Sequence, residues 1–494
     1  MSADVEAQVG DEQPHVDVLD RSDAGAKVIR AGAIRGITYA AMILLTGAAV
    51  PLMTRHLGKD DFGQFVTAST IVTIVAGVTE LGLSGIGTRE YALASPSERR
   101  GLLANLLGLR TVLTLIGLAI ATPLMVLGDY RSVVIAGMLV SGAGLILLNI
   151  QQTYSISLTA QLSWGISSVF ELINAAVVAG ATVLLVVSGA HLFSFFFISV
   201  VSSAAALLAS IFYLRGHVAL LPRFDLPRWR ALVRDTLPYS AAVMVGILYP
   251  RVGLLAVSLI SNENQTGYYS TAFKIVEVIG GTSGLIAGSA FPVFARAGRD
   301  DHDRLRYAVS RVGDTVLIAG AYITLSLVVA APFVIEVIGG KGYGPSVPVL
   351  RIQAVALLGG FLGTTWSYTL LSLRMHASLL RVTAAGLVIS VALSVALVPS
   401  LGAEGASIAA VACELAVAAG YLVALVRSHP HLRPGLGAMP QVALASAAAA
   451  SVLLLSLPSV VLWALASVVY VGLLVVTRAF PPELLQVLTR RTNR

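Results

Sequence analysis

The chain has 494 residues, 56% of them hydrophobic and only 12% charged, with a mean hydropathy of +0.84 and a net charge of +7. Water-soluble domains carry roughly 25% charged residues, so this composition excludes an ordinary soluble enzyme and implies a polytopic membrane protein. The single Cys413 excludes a disulfide framework or a cysteine-rich metal centre.

Residues 1–29 stand apart. "MSADVEAQVGDEQPHVDVLDRSDAGAK" holds seven acidic and two basic residues and no apolar core. It lacks the basic start and apolar stretch of a secretory signal, and is expected to be a disordered cytoplasmic tail. Cutting the remainder at charged and turn-rich breaks predicts fourteen spans. The first six cover about 33–54, 62–84, 101–127, 132–153, 164–187 and 191–214. Six more cover 236–260, 268–290, 312–338, 346–373, 382–400 and 403–426, and a last pair covers 438–457 and 459–477.

With the N-terminus in the cytoplasm, this cut puts 25 of the 33 Lys and Arg residues on the inner side and four on the outer side. That asymmetry is the positive-inside pattern, and it places both termini in the cytoplasm. The net charge then belongs to loops such as "LPRFDLPRWRALVRD" (221–235), facing anionic headgroups, and does not indicate nucleic-acid binding.

A weak repeat joins "LGKDDFGQFVTASTI" (57–71) to "ISNENQTGYYSTAFK" (260–274), each with Gly followed two residues later by an aromatic, Gly63/Phe65 and Gly267/Tyr269. Six spans separate the copies, so they run in the same direction. The implied architecture is all-α: two pseudo-symmetric six-helix bundles, 30–235 and 236–436, around a V-shaped central lumen. A further helix pair, 437–480, and a cytoplasmic tail, 481–494, complete the chain.

No G-x-x-x-x-G-K-[ST] or H-E-x-x-H occurs, and no paired Cys/His spacing, so neither a cofactor nor a metal is expected. The acidic run "RDDHD" (299–303) reads as a solvated loop. Transport by conformational change is expected rather than catalysis.

Charges inside apolar spans cost roughly 2.5–3.5 kcal/mol each on insertion scales and normally face a cavity or a partner. Lys274 and Glu277 lie i, i+3 on one predicted helix, and Arg251, beside Pro250, lies on the preceding one. Counted from the intervening loop, both cations sit roughly 10–15 Å below the outer end. They form either an anion-attracting lumen or a structural network in which Glu277 neutralises one cation and the other snorkels outward. Tyr269 lies on the same hairpin. Arg35 and Tyr39 open the first span as lumen or anchor residues, and Glu80 near the end of the second either snorkels or functions. Asp314 is a candidate for gating or ion coupling, and Pro250 for a kink that gates. Arg110, Glu171, Glu336 and Glu414 are expected to pair across helices with partners that spacing does not identify.

Several stretches carry a resemblance: "PLMTRHLGKDDFGQF" (51–65), "ELGLSGIGTREYA" (80–92), "FDLPRWRALVRDTLPYSAAVMVGILY" (224–249), "TGYYSTAFKIVEVI" (266–279) and "LVPSLGAEGASIAA" (397–410). Over about 30–480 the chain resembles the Wzx-type polysaccharide (O-antigen) flippases of the multidrug/oligosaccharidyl-lipid/polysaccharide exporter superfamily. The resemblance implies alternating access in the bacterial cytoplasmic membrane and passage of a polyprenyl-diphosphate-linked glycan to the outer leaflet. It also implies partners among membrane lipids, glycosyltransferases and a polysaccharide polymerase. Lys274 matches a lysine frequent in the family. Two departures stand out: Gly253 and its neighbours replace a common Asp, and His376 stands where a Gly-Arg pair is common. Alternatives are a multidrug or peptidoglycan-precursor exporter of the same superfamily, or a membrane scaffold that transports nothing.

Overall fold

A computed structural model describes residues 24–80, 82–160, 164–214, 221–433 and 437–480. The chain-terminal tails therefore lie largely outside the described residues. So do the side chains of Arg35 and Tyr39.

The described residues are predominantly helical, with no strand among them. In chain order the helices are α1 (Ala24–Glu80), α2 (Leu83–Leu93), α3 (Pro96–Leu127), α4 (Ser132–Ala160), α5 (Trp164–Val187) and α6 (Leu192–Tyr213). They continue with α7 (Leu226–Leu248), α8 (Val252–Ile260), α9 (Glu263–Asp300), α10 (His302–Ile338), α11 (Ser346–Ser372), α12 (His376–Ser428), α13 (Met439–Ala450) and α14 (Ser459–Val476). A bilayer core offers backbone groups no water, and helices satisfy those groups internally. Among the described residues, eleven helical stretches are long and apolar enough to cross it, which makes this a multi-pass membrane protein.

Two of those stretches, of 54 and 53 residues, exceed what one crossing needs. Each contains a glycine in the left-handed region, Gly58 (φ 72°) and Gly402 (φ 54°), where the helical path breaks. These glycines lie in the intervals where the charge pattern expected loops. The stretch expected to be the thirteenth span is short, Met439–Leu454.

Helices α1–α6 pack chiefly on one another, and α7–α12 do likewise, with α13 and α14 against α10. The two sets meet near the breaks, where α1 crosses α9. There Gly63 faces Gly267 so closely that a Cβ on Gly63 would stand 2.8 Å from the Gly267 nitrogen. Phe62 and Val66 of α1 share a core with Leu254, Tyr269 and Phe273. Three polar links reinforce this end: Gln64 Nε2 donates to Glu263 Oε1, Tyr130 shares a hydrogen bond with Ser258, and Tyr343 donates to the Thr54 carbonyl. The repeated loops thus pack face to face.

Candidate functional site

The α7–α8 junction sets the site. Tyr249–Arg251 form one turn of 3-10 helix, with Pro250 at its start. Proline has no N–H and clashes with the preceding turn, so helical hydrogen bonding is disturbed here. Side chains supply donors at the junction: Arg251 Nη1 donates to the Ile247 carbonyl at 2.9 Å, and Ser390 Oγ to the Tyr249 carbonyl at 3.2 Å.

From this turn Arg251 reaches α9. Its Nη2 lies 2.9 Å from Glu277 Oε1, and Lys274 Nζ lies 2.7 Å from Glu277 Oε2. One carboxylate therefore holds both cations, one on each oxygen. The side chains of Arg251, Lys274 and Glu277 keep 16%, 25% and 32% exposure, so none is fully buried. The alternative in which one cation snorkels away is not the geometry observed.

The cluster carries a formal charge of +1 and lies between two cavities. The first, about 390 Å³, is bounded by α7–α9, α11 and α12, and its wall is rich in aromatic rings, among them Tyr249, Tyr269, Phe273 and Tyr421. Glu414 also lines it and accepts from the Tyr249 hydroxyl at 3.4 Å. The second, about 800 Å³, lies chiefly among α1, α2, α4 and α5, and its wall sets amide and hydroxyl groups among apolar side chains. Arg251 borders both cavities, Glu277 borders the first, and Lys274 lines neither.

The other sequence candidates fall into different places. Tyr269 is buried in the first cavity's wall, stacked on Phe273, with its hydroxyl against Gly253. A side chain at 253 would collide with that hydroxyl, since a Cβ there would stand 2.4 Å from it. Glu80 belongs to the second cavity and pairs with Arg110 Nη2 at 2.7 Å. Arg110 is fully buried and also donates to Ser84 and Thr153, so this pair ties α1, α2, α3 and α4 together. Asp314 lies away from both cavities, where its Oδ1 accepts from the Ala438 N–H at the start of α13. That carboxylate complements the positive end of a helix and holds the last helix pair against α10.

Sequence reasoning missed the second cavity's lining. Its signal was the run "NIQQTYS" (149–155), polar residues on three sides of α4 at the inner end of an expected span.

Residues 34–297, more than half of the chain, match the family described as "Polysaccharide biosynthesis protein". The chain belongs to that family. No curated protein matches it. Among solved structures, this polysaccharide biosynthesis protein is similar to lipid II flippase MurJ in an inward closed conformation, with a TM-score of 0.72 and 12% identity over 91% of this chain and 99% of that one. It is also similar to an inward-facing multidrug resistance MATE family transporter of the MOP superfamily, with a TM-score of 0.65, 15% identity and coverage of 82% and 99%. A third likeness is to a MOP superfamily transporter from Pyrococcus furiosus described as having a binding pocket of reversed polarity, at a TM-score of 0.58, 16% identity and coverage of 81% and 95%. At these identities the likeness establishes the fold, which is that of MOP-superfamily transporters.

Proposed function

We propose that this protein is a flippase that moves a polyprenyl-diphosphate-linked oligosaccharide from the inner to the outer leaflet of the bacterial cytoplasmic membrane. Its route is alternating access between residues 30–235 and 236–436, in fourteen passages with both termini cytoplasmic. The diphosphate docks at Arg251, assisted by Lys274, and Glu277 balances the pair when no substrate is present. The polyprenyl tail stays in lipid while the polar head crosses. No bond in the substrate is made or broken.

The observation that carries this proposal is the position of Arg251. A guanidinium with five donors is suited to a diphosphate, and this one borders both cavities within a net cationic cluster. An exporter of organic cations would be served by an acidic centre instead. Family membership in polysaccharide biosynthesis and the fold of lipid II flippase MurJ support the same proposal.

Depletion in the native host tests it. The expected result is accumulation of one lipid-linked glycan on the inner leaflet, relieved by the unaltered gene and not by the double variant R251Q/K274Q. Depletion with no lipid-linked intermediate accumulating would remove the proposal in favour of a scaffold.

A further inference from the structure

The larger cavity has a chemistry distinct from its neighbour's. Its carboxamides are Asn149, Gln151, Gln152 and Asn174; hydroxyls from α1, α2, α4 and α5 stand beside them, and apolar side chains such as Met42, Leu145 and Leu148 complete the wall. Phe170 is the one aromatic ring in its described lining, and Arg251, at the margin, is the one cation there. Arg110 stands behind Glu80 and is fully buried.

The amides are not all used up by the protein's own architecture. Asn149 donates to Thr114, and Gln151 to Ser155. The side chains of Gln152 and Asn174 make no hydrogen bond among the described residues, and Ser167 Oγ, buried in the same wall, has no partner there either. Several of the hydroxyls, such as Thr73, Thr88 and Thr159, donate to carbonyls of their own helices and keep lone pairs for the cavity.

A carboxamide offers donor and acceptor side by side, as does a sugar hydroxyl, so amides match a ligand whose polar groups are both. An acidic sugar calls for cations along its path, and this wall provides carboxylates (Glu80 and Glu171) and amides instead. A volume of about 800 Å³ lies within the range of roughly 300–1,000 Å³ that holds a compact organic ligand.

We infer that the cavity among α1, α2, α4 and α5 is a cradle for the first, uncharged sugars of the substrate, with Gln152 and Asn174 as its principal contacts. This inference rests on the flippase proposal: the diphosphate at Arg251 fixes one end, and the sugars next to it extend into the amide-lined space. Specificity at this position then reads hydroxyl and N-acetyl groups and rejects carboxylates near the diphosphate.

The test uses the full chain in lipid nanodiscs with three probes: undecaprenyl diphosphate, the same lipid carrying an uncharged N-acetylhexosamine disaccharide, and the same lipid carrying a hexuronic acid in place of the second sugar. The uncharged disaccharide should raise affinity over the bare lipid by about tenfold, as two or more added hydrogen bonds would. Q152A/N174A should abolish that gain and leave bare-lipid affinity unchanged, whereas R251Q should weaken all three. No gain from the uncharged disaccharide, or a larger gain from the hexuronic acid, overturns the cradle while Arg251-dependent binding of the bare lipid leaves the flippase proposal standing. Binding of the bare lipid that ignores R251Q, with the disaccharide gain still lost in Q152A/N174A, keeps the cradle and removes the assigned diphosphate site. Failure of every probe to bind removes both.

Discussion

Glu277 answers two cations with one carboxylate, and the consequences of removing it differ from those of removing either cation. Glu277→Gln leaves Arg251 and Lys274 facing each other across a former shared partner, within a membrane span. Breaking a buried pair from one side costs about 3–5 kcal/mol, and the partial exposure of these side chains places this case near the lower end. Thermal unfolding in detergent should therefore fall further for Glu277→Gln than for Lys274→Gln, which leaves an intact Arg251–Glu277 pair. Equal losses would mean that the shared carboxylate is not what holds the cluster. These three residues were legible in the sequence because each is a charge in an apolar run, and helical spacing alone places Lys274 beside Glu277. The partnership of Arg110 with Glu80 was not legible. The two lie 30 residues apart on separate helices, and several acids at similar depths were equivalent candidates. Neutral amides gave still less warning, since Gln152 and Asn174 carry no charge to mark them against their apolar neighbours.

The elements that cross at Gly63 and Gly267 depend on glycine for their approach. A Cβ at 267 would lie 2.3 Å from the Lys59 carbonyl oxygen, so a larger residue must push α9 from the α1 break. Gly267→Val should cost about 1–3 kcal/mol by overpacking. Gly284→Val on the same helix, where a Cβ meets open space, is the control and should lower the melting temperature much less. Similar losses at both positions would show that general helix effects outweigh the close approach. The repeat around these glycines was visible as a loop pattern. That the two copies press against each other was beyond reach, because a repeat gives equivalence without contact.

A second element-level feature joins helix ends at the opposite side. His302 at the start of α10 lies against His429 and His431 beyond α12, with ring centroids 5.1–6.3 Å apart. Partial burial and the two neighbouring imidazoles hold His429 below the usual imidazole range. A depressed histidine binds fewer protons folded than unfolded, so its contribution to stability is present above the ordinary value of about 6.5 and is lost as pH falls through the folded value. The melting temperature should drop between pH 7.5 and pH 5.5, and H302A/H431A should reduce that drop. A pH dependence unchanged in the double variant would assign it elsewhere.

At the scale of the molecule, the hydropathy and charge pattern made the membrane character and helical class plain. Counting crossings was harder. Each of the two 50-residue stretches is a pair of helices joined at a single non-helical glycine, Gly58 or Gly402, so the expected break is present but is too tight to stand out as a loop. The division into an aromatic cavity and an amide-lined one also emerged only in three dimensions, because each wall gathers residues from several helices. Their common border at Arg251 is what gives the proposed transport a geometry: a diphosphate held at that border sits between the amide-bearing cavity and the aromatic one. The direct measurement is translocation of a fluorescent undecaprenyl-diphosphate disaccharide in proteoliposomes, read by quenching from outside. The expected result is movement between leaflets well above protein-free vesicles and reduced at least tenfold by R251Q. Movement no faster than in protein-free vesicles, with the protein folded and inserted, would contradict the assignment of this protein as a flippase of lipid-linked glycans.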